Sequence, residues 1–362
     1  MNSPGIILTT YVNAPAPDLA SEFAVDQLSL QSWQQRQQTL NRELDLISTT
    51  AGLGAALVAL AENQRESGFI RDSLNAVQRF VLPSPANRRH YFSVQYNPAR
   101  ARRFAGAGVN LPPEGVDNVN HGCFLCAENI WWQQQGAELG YALPMAGDRY
   151  TAWMNPFPLA PNHCVIAARE HIPQCWGGRS ESLVTIIADL LELSSLLPGW
   201  IAFYNGEGAG ASILGHLHYH LLPRPPGYGP MPLELAIQRH DVDGLVEDVY
   251  PLSFMHWHGQ RLEMLASLKP WINNWQAHTG DPEQATANII AITAADGSRQ
   301  DCYFIPRHKA RSRAEGLAGV VGGFETLGEI VCSSDEDYKR LLAGEINFDT
   351  IAGMLRQVSV AL

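Results

Sequence analysis

The stretch "GASILGHLHYHLLPRP", residues 210–225, decides how the rest of the chain is interpreted. Three histidines, His216, His218 and His220, alternate in it with a leucine and a tyrosine. Because side chains alternate between the two faces of a strand, a β-strand here would place all three imidazoles on one face. Three polar rings make a poor core surface, so the pattern indicates a functional site.

The histidine pattern alone leaves three interpretations open. One is a buried strand whose histidines hydrogen-bond one another. Another is a metal site, because H-x-H on a strand presents two imidazoles to one ion. The third is nucleophilic catalysis at phosphorus, in which one ring nitrogen is held protonated while the other attacks.

The residues before the histidines favour a phosphate site. The segment "NGEGAGAS", residues 205–212, is rich in glycine, so its backbone can approach an anion closely. Asn205 and Ser212 add side-chain hydrogen-bond donors. A glycine-rich turn that leads into a histidine strand therefore predicts a phosphate group beside a nucleophile.

Composition and charge bound the class of protein. The chain has 362 residues, enough for about two domains. Its net charge of −11 argues against a general nucleic-acid binder. The most apolar run, residues 51–61, is too short to span a bilayer, and the first 20 residues lack the pattern of a signal peptide. We therefore expect a cytoplasmic protein with no membrane partner.

The order of predicted elements indicates an α+β protein. Residues 1–86 carry apolar residues at helical spacing and predict a helical N-terminal extension. Strand-like segments, one clear helix at "SESLVTIIADLLELSSLL" and a mixed C-terminal part follow. This order suits helices packed on a largely antiparallel sheet better than a doubly wound parallel sheet.

A second segment, "WMNPFPLAPNHCVIAAREHIPQ" at residues 153–174, joins the histidine stretch in a recognisable pattern. Together they resemble the histidine-triad superfamily. The chain length and "CFLC" at residues 123–126 are more similar to its galactose-1-phosphate uridylyltransferase branch, which includes GDP-hexose phosphorylases and diadenosine tetraphosphate phosphorylases. The resemblance covers residues 88–225, and "FIPRHK" (304–309) and "VGGFETLGEIV" (321–331) are weaker echoes of the branch's second half.

The resemblance implies a fold and an assembly. It implies a catalytic half with an antiparallel sheet and flanking helices at residues 87–226, and a second similar half at residues 227–362. Members of this family often form homodimers, so a homodimer is compatible with it.

The resemblance also implies a covalent mechanism. The middle histidine of the triad, here His218, attacks the α-phosphorus of a nucleotide sugar or dinucleotide. A nucleotidyl-histidine forms, and a phosphate, a sugar phosphate or water then accepts the nucleotidyl group. His216 and His220 flank the nucleophile as further catalytic residues.

Other residues are assigned to substrate binding. Asn205 matches the asparagine that orients phosphate oxygens, and Ser212 lies in the same loop. Asn155 matches a ribose-contacting position, although a turn asparagine before Pro156 is an equal alternative. We expect cations for the phosphates from a further set: Arg100, Arg224 and the run at residues 307–313.

The branch also offers a structural zinc site. Its two cysteines and two histidines match Cys123, Cys126, His171 and His216, a suitable tetrahedral set. His121 is the competing ligand. A redox role for "CFLC" lacks the usual sequence context.

One position departs from the branch and leaves the reaction open. His220 stands where transferases of the branch have glutamine and hydrolases of the superfamily have histidine. A hydrolase of nucleotide sugars, dinucleotides or nucleoside phosphoramidates is therefore the alternative to a transferase or phosphorylase. Two other classes also remain: a metalloenzyme that uses all three triad histidines as ligands, and a zinc-stabilised nucleotide-binding protein without turnover.

Overall fold

A computed structural model describes most of the chain. The described residues are 30–362, apart from 88–89, 106–110, 146–148, 225–227, 238–243, 246–249 and 318. The first 29 residues of the predicted extension lie outside them. No helix in this described part is long and apolar enough to cross a membrane.

Nine helices are described in this part of the chain. They are α1 Leu30–Ala51, α2 Leu53–Glu66, α3 Ala127–Gln133, α4 Ser180–Leu196, α5 Pro232–Ile237, α6 Arg261–His278, α7 Gly323–Thr326, α8 Asp335–Leu342 and α9 Phe348–Val358. Helix α4 is the helix predicted at "SESLVTIIADLLELSSLL". Its apolar stripe includes Leu183, Ile187 and Leu190, spaced by three and four residues and fully buried.

The strands form two sheets. They are β1 Gln78–Pro83, β2 Tyr91–Tyr96, β3 Tyr141–Ala142, β4 Tyr150–Met154, β5 Cys164–Ala168, β6 Trp200–Asn205, β7 His218–Pro223, β8 Gly244–Leu245, β9 Met255–Gly259, β10 Ala285–Thr293, β11 Gln300–His308 and β12 Glu329–Cys332. The large sheet has nine strands in the order β3-β4-β5-β7-β6-β10-β11-β9-β8, and all its pairs are antiparallel. The small sheet has the order β1-β2-β12.

The strand period of two divides the large sheet into a core face and a site face. Tyr219 and Leu221 of β7 are fully buried in a hydrophobic cluster with Leu190 of α4 and Leu268 of α6. His218 and His220 alternate with them and lie on the opposite face. One face of this central strand therefore packs in the core, and the opposite face carries the two histidines.

The C-terminal part supplies a second layer over the site face. A second cluster joins Phe203 of β6 and Ile290 of β10 to Val94 of β2, Ile330 of β12 and Leu355 of α9. The small sheet and the C-terminal helices thus cover the part of the site face next to the histidines.

The fold class is confirmed as α+β with an antiparallel sheet and flanking helices. The helical N-terminal region is present as α1 and α2. The predicted helical extension, residues 1–86, was wrong for residues 78–83, which form β1. The helix ends at Glu66, just before Gly68 with its positive φ of 73°, and a short apolar run does not distinguish strand from helix by spacing.

The large sheet is continuous across the predicted catalytic and C-terminal halves. Strand β6, from the first half, pairs with β10, from the second, through residues such as Asn205 and Asn288. The three predicted domain ranges stay a prediction.

Candidate active site

A cavity of about 450 Å³ lies on the site face of the large sheet. That volume is in the range of small-molecule sites. His218 and His220 line it, together with Asn205 and Ser212 of the glycine-rich segment. Its remaining wall is largely apolar and aromatic.

The His218 ring is oriented by the backbone just before its strand. Its Nδ1 lies 2.8 Å from the carbonyl oxygen of His216. A carbonyl only accepts, so Nδ1 carries the proton and Nε2 keeps its lone pair. Burial lowers the pKa of His218 to about 4, so the neutral ring predominates at neutral pH. The result is a nucleophilic nitrogen in a cavity.

Gln174 fixes the backbone around His218. Its Oε1 accepts from the His218 backbone N–H at 2.6 Å, and its Nε2 donates to the carbonyl of His218 at 2.9 Å. The same Nε2 donates to the carbonyl of Asn205 at 2.8 Å. One buried amide therefore joins the start of β7 to the end of β6.

His220 is part of a hydrogen-bonded chain that fixes its tautomer. The Leu159 backbone N–H donates to Nδ1 of His163 at 3.2 Å, so His163 carries its proton on Nε2. His163 Nε2 lies 3.1 Å from His220 Nδ1, which must then accept. Burial lowers the pKa of both rings, to about 3 for His163. His220 is thus a neutral ring with a proton on Nε2.

Asn205 is held by a buried polar network. Its Oδ1 accepts from Asn288 Nδ2 at 2.9 Å and from the Gly323 backbone N–H at 2.7 Å. Arg307, which is 1% exposed, donates in turn to Asn288 Oδ1 at 2.6 Å. With Oδ1 occupied by these donors, Asn205 presents its amide N–H groups as donors, the role predicted for it.

The glycine-rich segment packs tightly against the C-terminal part. Gly210 has a φ of 105°, and a Cβ there would lie 2.5 Å from Gly322 Cα. Only glycine fits both the conformation and the contact. Residues 321–331, which weakly resemble the second half of the branch, therefore contribute directly to the site. Gly322 and Phe324 line the cavity.

The four predicted zinc ligands come together. The ligand atoms of Cys123, Cys126, His171 and His216 all lie within 4.8 Å of one another. Cys126 Sγ is 3.3 Å from His171 Nδ1, and Cys123 Sγ is 3.4 Å from His216 Nδ1. His121, the competing ligand, is outside this cluster.

His216 does not share the cavity with the other triad histidines. It precedes β7, which begins at His218, so it escapes the strand alternation that predicted one common face. Its Nε2 lies 2.6 Å from the carbonyl of Ala168, and its Nδ1 joins the cysteine cluster. The expectation that all three rings share one face was wrong.

The other predicted substrate residues divide into two groups. Asn155 and Arg100 line the cavity, although Asn155 Oδ1 also accepts from the Phe157 N–H at 2.9 Å in a turn. Arg224 instead pairs with Glu234 at 2.8 Å and does not line it. In the run 307–313 no residue lines the cavity either: Arg307 is buried in the network around Asn205, and Lys309 pairs with Glu207.

Sequence reasoning assigned no role to His163, Gln174 and Asn288, and it assigned Arg307 to phosphate binding. His163 and Gln174 lie inside the quoted segment 153–174. The polar residues of that segment, set among apolar strands, were the sequence feature that could have indicated a functional role for these two. The network that Asn288 and Arg307 form with Asn205 had no local signal, because it depends on contacts made across the sheet.

The comparisons agree with this architecture. Residues 60–223 match a family described as a domain of unknown function (DUF4922). The crystal structure of yeast Ap4A phosphorylase Apa2 in complex with Ap4A is similar with a TM-score of 0.53 and 14% identity, over 83% of this chain and 97% of that chain. Another crystal structure of the same yeast enzyme gives a TM-score of 0.51 and 15% identity, over 83% and 94%. No curated protein sequence matches the chain significantly. At this identity the likeness concerns the fold alone, which this chain shares with yeast Ap4A phosphorylase.

Proposed function

We propose that this chain, which shares the fold of yeast Ap4A phosphorylase, is a nucleotidyltransferase acting through a covalent nucleotidyl-histidine at His218. The observation that carries the proposal is the hydrogen bond from His218 Nδ1 to the His216 carbonyl, which leaves Nε2 free inside the cavity. The substrate class is a nucleotide sugar or a dinucleotide, and the acceptor is phosphate or a sugar phosphate.

The reaction divides into two displacements at the α-phosphorus. In the first, a bond forms from His218 Nε2 to phosphorus, and the bond from phosphorus to the leaving oxygen breaks. The leaving group departs as a phosphate ester or nucleotide. In the second, an oxygen of the acceptor forms a bond to phosphorus, and the phosphorus–nitrogen bond breaks. His218 returns to its starting state.

Cavity groups are placed to stabilise charge during these steps. Asn205 and His220 present N–H donors, and Arg100 is the permanently charged cation among the described lining residues. Donors fixed before the reaction cost no reorganisation when charge develops on phosphate oxygens. His220 Nε2–H is also suited to donate a hydrogen bond to a leaving oxygen as its charge develops.

Hydrolysis is the second candidate function. It is favoured by the His163–His220 pair, because the His220 Nε2–H, held in place by His163, can donate to the oxygen of an attacking water and position it beside the nucleophile. The two candidates share the first displacement and differ only in the acceptor.

Mass spectrometry of the intact protein tests the shared step. The protein is mixed briefly with a panel of nucleotide sugars and dinucleotides, then quenched in mild alkali to preserve a phosphoramidate. We expect a mass increase equal to one nucleoside monophosphate. No adduct with any compound, in protein that binds nucleotides, would support a nucleotide-binding protein without turnover.

Substituting His220 with glutamine is expected to shift the acceptor. Glutamine keeps an N–H donor but loses the hydrogen bond from His163 that fixes the donor in place, so hydrolysis, which needs a positioned water, should fall more than transfer. We expect the ratio of phosphorolysis to hydrolysis to rise at least about tenfold. It is measured from product ratios with and without phosphate, with His278→Ala, an exposed histidine on α6, as the control. An unchanged ratio would show that His220 does not set the acceptor.

We also propose that Cys123, Cys126, His171 and His216 hold a structural zinc ion. With Zn–S near 2.3 Å and Zn–N near 2.0 Å, tetrahedral geometry places sulfur and nitrogen roughly 3.5 Å apart. The S···N separations of 3.3, 3.4 and 3.6 Å fit that arrangement. The hydrogen bond from His216 Nε2 to Ala168 leaves Nδ1 as the ligand atom, the usual outer-shell arrangement.

A single metal ion bound by all three triad histidines is not favoured by these contacts. His216 faces the cysteines and His220 pairs with His163. His218 belongs to no group of potential ligands among the described residues.

A further inference from the structure

We propose that the Glu138 carboxylate recognises the nucleobase and selects guanine. The inference rests on the proposed function for the placement of the phosphate, and it names the base that the transferred nucleotide carries. Three features of the cavity support it: the position of Glu138, the walls around it, and the hydrogen bonds that a buried carboxylate requires.

Glu138 is a buried acidic residue that lines the cavity. The residue is 5% exposed. Its backbone carbonyl accepts from the Trp33 indole N–H at 2.8 Å, and the next residue, Leu139, donates its N–H to Gln64 at 3.1 Å. The segment is therefore fixed by α1 and α2.

The Glu138 carboxyl has no hydrogen bond or ion pair in the described part of the chain. Burial raises its pKa well above the usual value. A buried carboxyl without a partner lowers the stability of the empty protein. Such a group in a cavity wall is explained by a ligand that supplies its partners.

The walls at this end of the cavity suit a flat ring. Phe69, Leu125, Trp153 and Val165 line it and belong to one hydrophobic cluster, whereas Phe203 and Phe324 at the other end belong to the second. Aromatic side chains bind a base through stacking without regard to its identity. Selection must then come from the polar groups.

The sheet register gives the spacing between the nucleophile and this end. Trp153, Val165 and His220 are successive Cα partners across β4, β5 and β7. Glu138 lies just before β3, three strands from β7, or about 14 Å at the usual strand spacing. A nucleoside monophosphate attached at His218 spans such a gap with its ribose between, beside Asn155.

Guanine supplies what a carboxylate requires. Its N1–H and N2–H groups point in the same direction and donate to the two carboxylate oxygens, in the manner of a bidentate guanidinium. Hydrogen bonds from these donors favour the ionised form of Glu138, and so they counteract the rise in its pKa that burial causes. Adenine has an acceptor at N1, which repels an ionised carboxylate. An ionised Glu138 therefore favours guanine over adenine.

The experiment compares the wild type with Glu138→Gln. The control is Glu181→Gln, the same chemical change on an exposed residue of α4. Adduct formation is timed by mass spectrometry with GDP-glucose and ADP-glucose, which differ only in the base. Calorimetry gives the Kd of GMP and of AMP, and thermal unfolding checks that each variant folds.

We expect the wild type to react with GDP-glucose at least about 100-fold faster than with ADP-glucose. Glu138→Gln should lose about 100-fold with GDP-glucose, as for hydrogen bonds to a charged group, and change little with ADP-glucose. Glu181→Gln should match the wild type. A wild type that prefers ADP-glucose, with the preference kept in Glu138→Gln, would mean a neutral acid that pairs with adenine, and would overturn the inference. Equal loss with both substrates would also overturn it.

Calorimetry separates this inference from the proposed function. If no nucleotide gives an adduct but GMP binds more tightly than AMP in a Glu138-dependent way, the covalent mechanism fails and the base assignment stands. If adducts form but Glu138→Gln leaves the preference between bases unchanged, the mechanism stands and the base assignment fails.

Discussion

Replacing His218 with alanine is expected to abolish nucleotidyl transfer, with a loss of at least about 10⁴-fold in rate. The Nε2 atom forms the bond to phosphorus, and no other side chain among the described residues of the cavity wall is held with a free nucleophilic nitrogen in the same place. His220 presents a proton rather than a lone pair, because its Nδ1 accepts from His163. The covalent adduct should disappear together with the activity.

The His218→Ala variant should still fold. Gln174 binds the backbone N–H and carbonyl of residue 218, and neither bond involves the imidazole. Circular dichroism, nucleotide binding and metal content should therefore stay close to wild type. His278→Ala serves as the matched control. Turnover within a few-fold of wild type in a well-folded His218→Ala protein would show that the covalent mechanism is wrong.

Among these variants, Cys123→Ser is expected to lower the free energy of unfolding the most. A hydrogen bond from Cys126 already lowers the pKa of the Cys123 thiol, which favours the thiolate that a metal requires. Loss of one ligand should release the zinc and lower the melting temperature by roughly 10 °C. Metal analysis and thermal unfolding measure the two effects, and a chelator should reproduce them in the wild type.

The chemical step should suffer less than stability in Cys123→Ser. The cysteine pair lies outside the cavity, and only Phe124 and Leu125 between them form part of its wall. Cys175→Ser is the matched control, because Cys175 is partly buried and outside the ligand cluster. Unchanged zinc content in Cys123→Ser would remove the assignment of this cluster as the zinc site.

The site residues that the sequence could predict from its own pattern are those in one short segment, His218 and Asn205. The cysteine–histidine set was predicted from the family resemblance. Strand alternation correctly predicted that His218 and His220 share a face. It failed for His216, because the strand starts two residues later and no local feature marks that start.

The remaining features depend on long-range contacts. Arg224 and Arg307 look like available cations in the sequence, but one pairs with Glu234 and the other is enclosed beneath Asn205. Which strands are neighbours in the large sheet, and hence which end of the cavity Glu138 occupies, follows from pairing between distant segments. Burial and sheet order are properties of the whole fold, so periodicity cannot supply them.

The pairing of β6 with β10 has a practical consequence for anyone who divides the chain. The matched family region, residues 60–223, stops at the end of β7, so a fragment with those limits keeps β6 and loses β10. Its β6 would then be an open edge, with unpaired backbone groups available to another copy. We expect such a fragment to self-associate or aggregate. The smallest fragment worth expressing is therefore one that contains both β6 and β10.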